Sequence, residues 1–114
     1  MVSSGGVNYD INNKTADLLT QKLLELKKDV EVAVTLLWNT PSVLSRFEFT
    51  GTITKEIAKE LGLVGVPARA SGIQTDCRFN FPSGIYSYSQ IPVSTWNTGD
   101  VFARAYVRWL EIQK

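Results

Sequence analysis

This chain has almost no cysteine or histidine that could cross-link it or bind a metal. Its 114 residues include a single cysteine, Cys77, and no histidine. One cysteine cannot form an internal disulfide, and zinc, haem and iron–sulfur sites need histidine or several cysteine ligands. The fold therefore depends on the burial of apolar side chains. A hydrophobic content of 44% is enough to build such a core at this length.

The same inventory excludes several functional classes. Without histidine the chain has no Ser–His–Asp or Cys–His nucleophilic pair. A formal net charge of +1 gives no strong field to attract nucleic acid. No apolar run approaches the ~20 residues of a membrane span, and no signal peptide is evident. We expect a soluble intracellular domain with no catalytic, cofactor-binding or metal-binding residue of its own.

Apolar periodicity and capping residues predict three helices. A stripe that includes Leu19, Leu23 and Leu26 predicts a helix over 14–29. Thr54 is a suitable N-cap for a short helix over 55–61. Thr98-Gly99-Asp100 is expected to cap a last helix, which an apolar stripe from Val101 onward predicts.

The other segments are less regular. Residues 52–53 and the alternating segment 86–94 read as strands. Residues 30–38 stay open between strand, which the alternating valines favour, and helix. Residues 63–82 read as a long loop that is pinned by its apolar side chains.

These predictions together give an α+β fold, mainly helical with a small antiparallel sheet. We expect a single domain over 1–114, with residues 1–8 loose. The last helix reaches Lys114 without a Gly, Asn or Pro stop signal. We therefore expect the chain to be an internal piece of a longer protein.

Few polar residues suggest chemistry. Ser71 lacks the flanking glycines and the base of a nucleophile elbow, so we interpret it as part of a Ser-Gly turn with Gly72. Asp76 and Arg78 flank Cys77, and in an extended segment they would lie on one side of the chain with Cys77 on the other. The simplest interpretation is a loop-fixing ion pair beside a small buried thiol. The alternative is a charged wall of a substrate cavity.

Arg69 and the aromatic residues have similar alternatives. The Arg69 guanidinium can serve the fold or bind a partner chain, and we favour the structural role. The aromatic cluster is interpreted as core with polar tips at the surface. Its members are Tyr86, Tyr88, Trp96, Phe102, Tyr106 and Trp109.

Several motifs occur in an order typical of one protein family. They are Gly5-Gly6-Val7-x-x-Asp10, Thr50-Gly51-Thr52-Ile53-Thr54-Lys55-Glu56, Arg69-x-Ser71-Gly72-Ile73-x-x-Asp76-x-Arg78 and Gly99-Asp100-Val101-x-Ala103-Arg104. Taken together, the chain resembles the central part of the large subunit of membrane-bound, energy-converting nickel–iron hydrogenases of the formate hydrogenlyase type. The homologous quinone-site subunit of respiratory complex I shares this region.

This resemblance implies a mostly helical subunit on the cytoplasmic side of a membrane arm. Its partners would be an iron–sulfur small subunit and membrane-arm subunits. It also implies that residues 30–38 are helical and that position 77 is buried. Arg69, Ser71, Gly72, Asp76 and Arg78 correspond to a motif that shapes the subunit interior beside the active or quinone cavity.

The departures from the family pattern matter as much. The two Cys-x-x-Cys pairs that hold nickel and iron are absent, and so are the histidine and aspartate of the quinone site. The resemblance therefore assigns no catalytic residue to this chain, and no quinone-binding or NAD-binding residue. The residues after Arg78 and along the last helix are closer to the hydrogenase branch, with the complex I branch as the alternative. A stand-alone module that docks a redox partner is a second alternative. If the chain is a fragment, surfaces that the longer protein normally buries would be exposed, with Trp96, Trp109 and residues 30–38 as candidates, and we expect self-association to cover them.

Overall fold

The computed structural model describes residues 2–3, 6–7 and 10–114. Its helices are α1 (Asn13–Trp38), α2 (Pro41–Phe47), α3 (Lys55–Glu60), α4 (Gly65–Ala70), α5 (Cys77–Asn80) and α6 (Val101–Ile112), with a 3-10 helix over Gly84–Ser87. Two-residue strands, β1 (Val2–Ser3) and β2 (Gly6–Val7), pair antiparallel. The chain divides into two compact units, residues 1–35 and 36–114. In the part of the chain that is described, no helix is both long enough and apolar enough to cross a membrane.

The predicted α+β fold is wrong, because the strands expected at residues 52–53 and 86–94 do not form and every regular element between residues 10 and 114 is helical. The two-residue pair β1–β2 lies outside the predicted strands. Ile53 donates one backbone hydrogen bond to the Gly99 carbonyl (3.0 Å) but forms no strand. Segment 86–94 begins in the 3-10 helix and then has no regular structure. Its alternation does not mark one buried face, since Tyr88 is 93% exposed. The predicted looseness of residues 1–8 falls mostly outside the described residues.

Helix α1 confirms and extends the predicted helix over 14–29. The helix continues through residues 30–38, as the family resemblance implies, so the valines there do not form a strand. A local preference of β-branched residues for strands is weak and yields when a helix is already propagating. Pro41 begins α2, which was not predicted from the sequence, immediately after the Thr40 cap position.

The short helices begin and end at residues suited to those positions. Thr54 accepts a hydrogen bond from the Ile57 amide at the start of α3, as predicted, and Gly62 beyond its end has a positive φ. Asp100 caps α6 in the same way through the Ala103 amide. The predicted loop over 63–82 contains α4 and α5 instead.

The core of unit 36–114 is small and lies where α4 crosses α6. Ala70, Ala103 and Val107 are fully buried against one another, with Val66 packed beside them. Small side chains at this crossing allow the two helix backbones to approach closely. This packing holds α4 and α6 in position beside the candidate site. An aromatic cluster of Trp38, Trp96, Phe102 and Tyr106 flanks α6, with ring centroids 4.6–6.2 Å apart.

Only part of the predicted aromatic core is observed. Trp96, Phe102 and Tyr106 are in mutual contact, although Trp96 is itself 36% exposed. Tyr86 and Tyr88 are exposed as well, at 38% and 93%. Trp38 takes part in the cluster although it was not among the predicted members. The reason is that Trp38 lies at the last position of α1, nine residues beyond the predicted end of that helix.

Candidate functional site

A cluster of four charged side chains lies beside the α4–α6 crossing. Arg69 comes from α4, Arg78 from α5 and Glu111 from α6, while Asp76 is the N-cap residue of α5. Two guanidinium groups face two carboxylates, so the formal charges cancel. We call these four residues the ion-pair cluster.

Arg69 is the most enclosed cation of the cluster, with 6% of its surface exposed. Its Nη2 donates to Glu111 Oε1 at 2.7 Å, and its Nη1 lies 3.4 Å from Asp76 Oδ2. Its Nε is buried without a hydrogen-bond partner among the described residues. Charge burial of this kind is tolerated only where the partners are held in good geometry.

Asp76 is the most enclosed anion of the cluster. Its Oδ1 accepts from the Arg78 amide (2.9 Å) and from Arg78 Nε (3.0 Å), and its Oδ2 accepts from Arg78 Nη2 (2.7 Å). This two-pronged pairing is the geometry that guanidinium and carboxylate groups favour. The side-chain hydrogen bonds from Arg78 lower the pKa of Asp76 to about 2, against the opposing effect of burial.

Arg78 connects α5 to α6. The Asp76 carboxylate raises the pKa of Arg78 above its ordinary value, so its guanidinium stays charged. Its Nη2 also donates to Glu111 Oε1 at 3.2 Å. Glu111 Oε1 thus accepts from both arginines and draws α4, α5 and the last turn of α6 together.

The loop-fixing ion pair predicted between Asp76 and Arg78 is confirmed. The predicted burial of position 77 is wrong, because Cys77 is exposed. As the first residue of α5 it lies at the rim of a cavity of about 560 Å³ that Arg69 and Asp76 also border. The expectation assumed an extended segment with alternating faces, whereas the segment turns into a helix at this residue.

Ser71 and Gly72 lie close to the cluster but are not part of it. Ser71 is the C-cap of α4, and its Oγ is buried without a partner among the described residues. Gly72 has a φ of +79°, a backbone conformation that glycine adopts freely. The family motif Arg69, Ser71, Gly72, Asp76 and Arg78 is therefore gathered around the end of α4. Its position beside a redox cavity stays a prediction.

Segment 94–101 is held against this region by backbone hydrogen bonds. The Trp96 amide donates to the Arg69 carbonyl, the Gly99 amide to the Ala70 carbonyl and the Val101 amide to the Thr50 carbonyl, all at 2.9–3.0 Å. A Cβ at Gly99 would lie 2.0 Å from the Ile53 carbonyl oxygen, so no other residue fits there without rearrangement.

Asp100 lies in the same segment and is even more enclosed than Asp76 and Glu111, with 3% of its surface exposed. Its Oδ1 accepts from the Ala103 amide and the Thr98 hydroxyl, and its Oδ2 accepts from the Phe49 amide. Burial tends to raise the pKa of Asp100, but these hydrogen bonds have the larger combined effect and lower it.

Two long-range roles were not predicted from the sequence. Asp100 was identified only as a cap, and its bond to Phe49, 51 residues away, was missed. Glu111 was missed as well, because pairing with Arg69 across 42 residues leaves no local signal.

The described residues contain no group of three or more His, Cys, Asp or Glu side chains able to hold a metal ion. Within the ion-pair cluster, carboxylates and guanidinium groups that pair with one another leave no free base beside a nucleophile. The arrangement is suited to holding three helices in a fixed geometry at the edge of a cavity.

Comparisons with known proteins point to one class, the subunits of respiratory and hydrogen-converting oxidoreductases. A NADH-quinone oxidoreductase subunit from Chloroherpeton thalassium is 32% identical over 110 residues, which is 96% of this chain and 25% of that protein. A carbon monoxide-induced hydrogenase from Rhodospirillum rubrum is 32% identical over 108 residues, 94% of this chain and 30% of that protein. An F(420)H(2) dehydrogenase subunit from Methanosarcina mazei is 31% identical, over 96% of this chain and 29% of that protein.

A solved structure agrees with these relatives. A chain of the membrane-bound sulfane sulfur reductase, described as an archaeal respiratory membrane complex, superposes with a TM-score of 0.82 at 28% identity, over 96% of this chain and 30% of that chain. The family model described as "Respiratory-chain NADH dehydrogenase, 49 Kd subunit" matches residues 1–114. The chain belongs to this family, and the resemblance drawn from its ordered motifs is confirmed. It spans about a quarter to a third of the length of the relatives it matches.

Proposed function

We propose that the chain acts within the large subunit of a membrane-associated respiratory oxidoreductase, as the scaffold at the edge of its redox cavity. The observation that carries this proposal is the ion-pair cluster. It gathers Arg69, Asp76 and Arg78 of the family motif at the α4–α6 crossing, next to a cavity that Arg69 and Asp76 border. The cluster contributes geometry, and the electron transfer itself depends on partners.

A nickel–iron centre does not fit the residues of this chain. Such a centre needs several thiolate ligands, and the chain offers one exposed cysteine and no histidine. We derive no step through that centre. In the proposed assembly, a metal or an iron–sulfur cluster is held by residues outside these 114.

Within the family we favour the hydrogenase branch, on the residues that follow Arg78 and on the sequence of α6. Arg78 is followed by Phe79, and α6 carries Phe102-Ala103-Arg104 where the complex I branch favours Tyr-Asp-Arg. The proposed partners are an iron–sulfur small subunit and membrane-arm subunits on the cytoplasmic face of the membrane. A reaction with NADH and quinone is the alternative, and the experiment separates the two.

The test uses a tagged copy of the gene in its native cell. Membranes are solubilised in mild detergent, the tagged protein is purified, and iron–sulfur signals are recorded by electron paramagnetic resonance. We expect the signals to co-purify, with hydrogen-dependent viologen reduction for the hydrogenase branch. NADH-dependent quinone reduction in the same eluate would assign the other branch. A tagged protein that elutes without any iron–sulfur partner would refute the proposal.

A matched pair of variants tests the role of the cluster in that assembly. Asp76→Asn removes the enclosed carboxylate, whereas Asp17→Asn makes the same chemical change at an exposed position of α1. We expect Asp76→Asn to lower the activity per copy of assembled protein, and Asp17→Asn to leave it unchanged. Equal activities in the two variants would contradict the scaffold role.

A further inference from the structure

A second cavity of unit 36–114 has polar walls and plays no part in the ion-pair cluster. Its volume is about 650 Å³, and it is bordered by the start of α3, the turn after α4 and residues 95–97. Every residue that borders it belongs to unit 36–114. Its side-chain hydrogen-bond donors include Lys55, Gln74, Thr95 and Asn97, and no aspartate or glutamate of the described residues borders it. We call it the polar cavity.

The donors around the polar cavity have no partners in the described part of the chain. Every ion pair found there belongs to the ion-pair cluster, so Lys55 has no carboxylate partner among the described residues. The backbone amides of Gln74, Thr95 and Asn97 likewise donate to no acceptor within those residues. Donors that converge on one cavity and have no acceptor of their own favour a ligand that supplies the acceptors.

Ser71 indicates a ligand at the same place independently. It borders the polar cavity and is only 3% exposed, and its Oγ has no hydrogen-bond partner among the described residues. Buried hydroxyls are normally paired, and an unpaired one calls for a water, an ion or a ligand to satisfy it. The ion-pair cluster supplies no such partner, so a ligand of the polar cavity is the candidate.

Gly72 brings the lysine and the asparagine of the polar cavity together. The Cδ atom of Lys55 and the Cβ atom of Asn97 each lie 3.9 Å from the position that a Cβ would occupy at Gly72. The lysine ammonium group carries a positive charge, and the amide and hydroxyl groups around it can donate hydrogen bonds. Because no carboxylate of the described residues offsets that charge at the cavity, the composition favours a small oxyanion over a cation or an apolar molecule.

We propose that the polar cavity binds a small oxyanion of the carboxylate or phosphate class. Lys55 supplies the charged contact, and Ser71, Thr95 and Asn97 supply neutral donors. This site gives a role to Lys55, Ser71 and Gly72, which belong to the ordered motifs but not to the ion-pair cluster. The anion is either free in solution or the side chain of an aspartate or glutamate elsewhere in the large subunit. Only this choice of source rests on the proposed function, and binding by the chain itself does not.

The first experiment follows the backbone amides of the full chain by nuclear magnetic resonance while phosphate is added. Sodium chloride is withdrawn in step, so the ionic strength stays constant and general screening does not change. We expect shifts that saturate and are largest at Gln74, Thr95 and Asn97. The same titration with acetate tests the carboxylate class. Shifts that fail to saturate with both anions, or that spread evenly over the chain, would overturn the proposal.

Two matched lysines then test the charged contact. Lys55→Gln should weaken binding about tenfold, because it removes a hydrogen bond between charged groups. Lys59→Gln makes the same change one turn further along α3, where the side chain does not border the polar cavity, and should bind like the wild type. Equal affinities of the two variants would overturn the proposal.

Ser71→Ala separates binding from stability. The substitution should weaken binding without lowering the free energy of unfolding, because the hydroxyl has no partner within the described residues. Circular dichroism verifies that this variant and both lysine variants keep their helix content. Unchanged affinity in Ser71→Ala would contradict the part assigned to its hydroxyl.

The source of the anion is decided in the large subunit purified with its partners. Lysine acetylation, followed by mass spectrometry, reports whether Lys55 is accessible. A free anion is indicated if Lys55 reacts readily and phosphate or acetate protects it. A carboxylate of the large subunit is indicated if Lys55 is protected without added anion and Lys55→Gln, but not Lys59→Gln, lowers the thermal midpoint.

Two results would overturn the site in the assembled protein. One is rapid acetylation of Lys55 that neither anion slows, and the other is protection of Lys55 without that difference in thermal midpoint. The proposed function is tested separately, by co-purification of iron–sulfur partners, so the two failures are distinguishable.

Discussion

Replacing Asp76 with asparagine removes the enclosed negative charge of the ion-pair cluster and keeps the shape of the side chain. The hydrogen bonds from Arg78 hold the pKa of Asp76 at about 2, below its ordinary value of 3.8. Each pKa unit corresponds to about 1.4 kcal/mol, so the ionised carboxylate contributes about 2 kcal/mol to the free energy of unfolding at pH 7. The side chain of Asp76 is only 6% exposed, so solvent screens this contribution little.

The pH dependence follows from the sign of that shift. Because the pKa is lower in the folded chain, the contribution is complete above pH 3.8 and disappears as the pH falls toward 2. The wild type and Asp76→Asn should therefore differ by about 2 kcal/mol at pH 7 and converge as the pH approaches 2. In Asp76→Asn at neutral pH, we expect no local rearrangement to recover this energy. Arg69 then has Glu111 as its one remaining ion-pair partner within the cluster.

Urea unfolding followed by tryptophan fluorescence measures the difference at each pH. Asp17→Asn, at an exposed position, is the matched control and should unfold like the wild type. A loss below about 0.5 kcal/mol at pH 7 would refute the assigned contribution, since that is the scatter of neutral surface substitutions. A loss of equal size at pH 2 and pH 7 would refute its electrostatic origin.

Three further substitutions, with Gly62→Ala as the control for the first, test the surroundings of the cluster. Gly99→Ala places a Cβ 2.0 Å from a backbone carbonyl oxygen and should destabilise the chain by about 3 kcal/mol or more, whereas Gly62→Ala, also at positive φ but in open space, should cost about 1 kcal/mol in the same urea titration. Asp100→Ala removes three hydrogen-bond contacts from a buried cap and should cost about 2 kcal/mol or more, read as a lower thermal midpoint. Ser71→Ala removes a buried hydroxyl that has no partner among the described residues and should leave stability unchanged or raise it, so a clear loss by calorimetry would contradict the observed geometry.

Local features of the fold could be predicted where a residue acts on its neighbours. Thr54 and Asp100 each cap the helix that follows within three residues, and both were identified from that spacing. The Asp76–Arg78 ion pair is also local and was found in the same way. The family could be recognised because ordered motifs cover nearly the whole chain.

Features that depend on distant contacts could not be predicted. Glu111 joins the cluster across 42 residues, and nothing near it in sequence marks that role. Segment 86–94 alternates as a strand does, but a strand forms only with a partner, and none of the described segments supplies one. Cys77 is exposed because the chain turns into a helix at that residue. The charged residues on either side of it had suggested an extended segment, in which Cys77 would face inward.

Segment 94–101 has a consequence for hydrogen exchange. Irregular segments normally exchange their amide protons quickly, through local opening. Here the amides of Trp96 and Gly99 donate to the last two carbonyls of α4, and the amide of Val101, the first residue of α6, donates to the Thr50 carbonyl. Breaking these bonds detaches the segment from the rest of the fold. Their protons should therefore exchange only on global unfolding, and the slowest amides in the chain should include residues outside any helix.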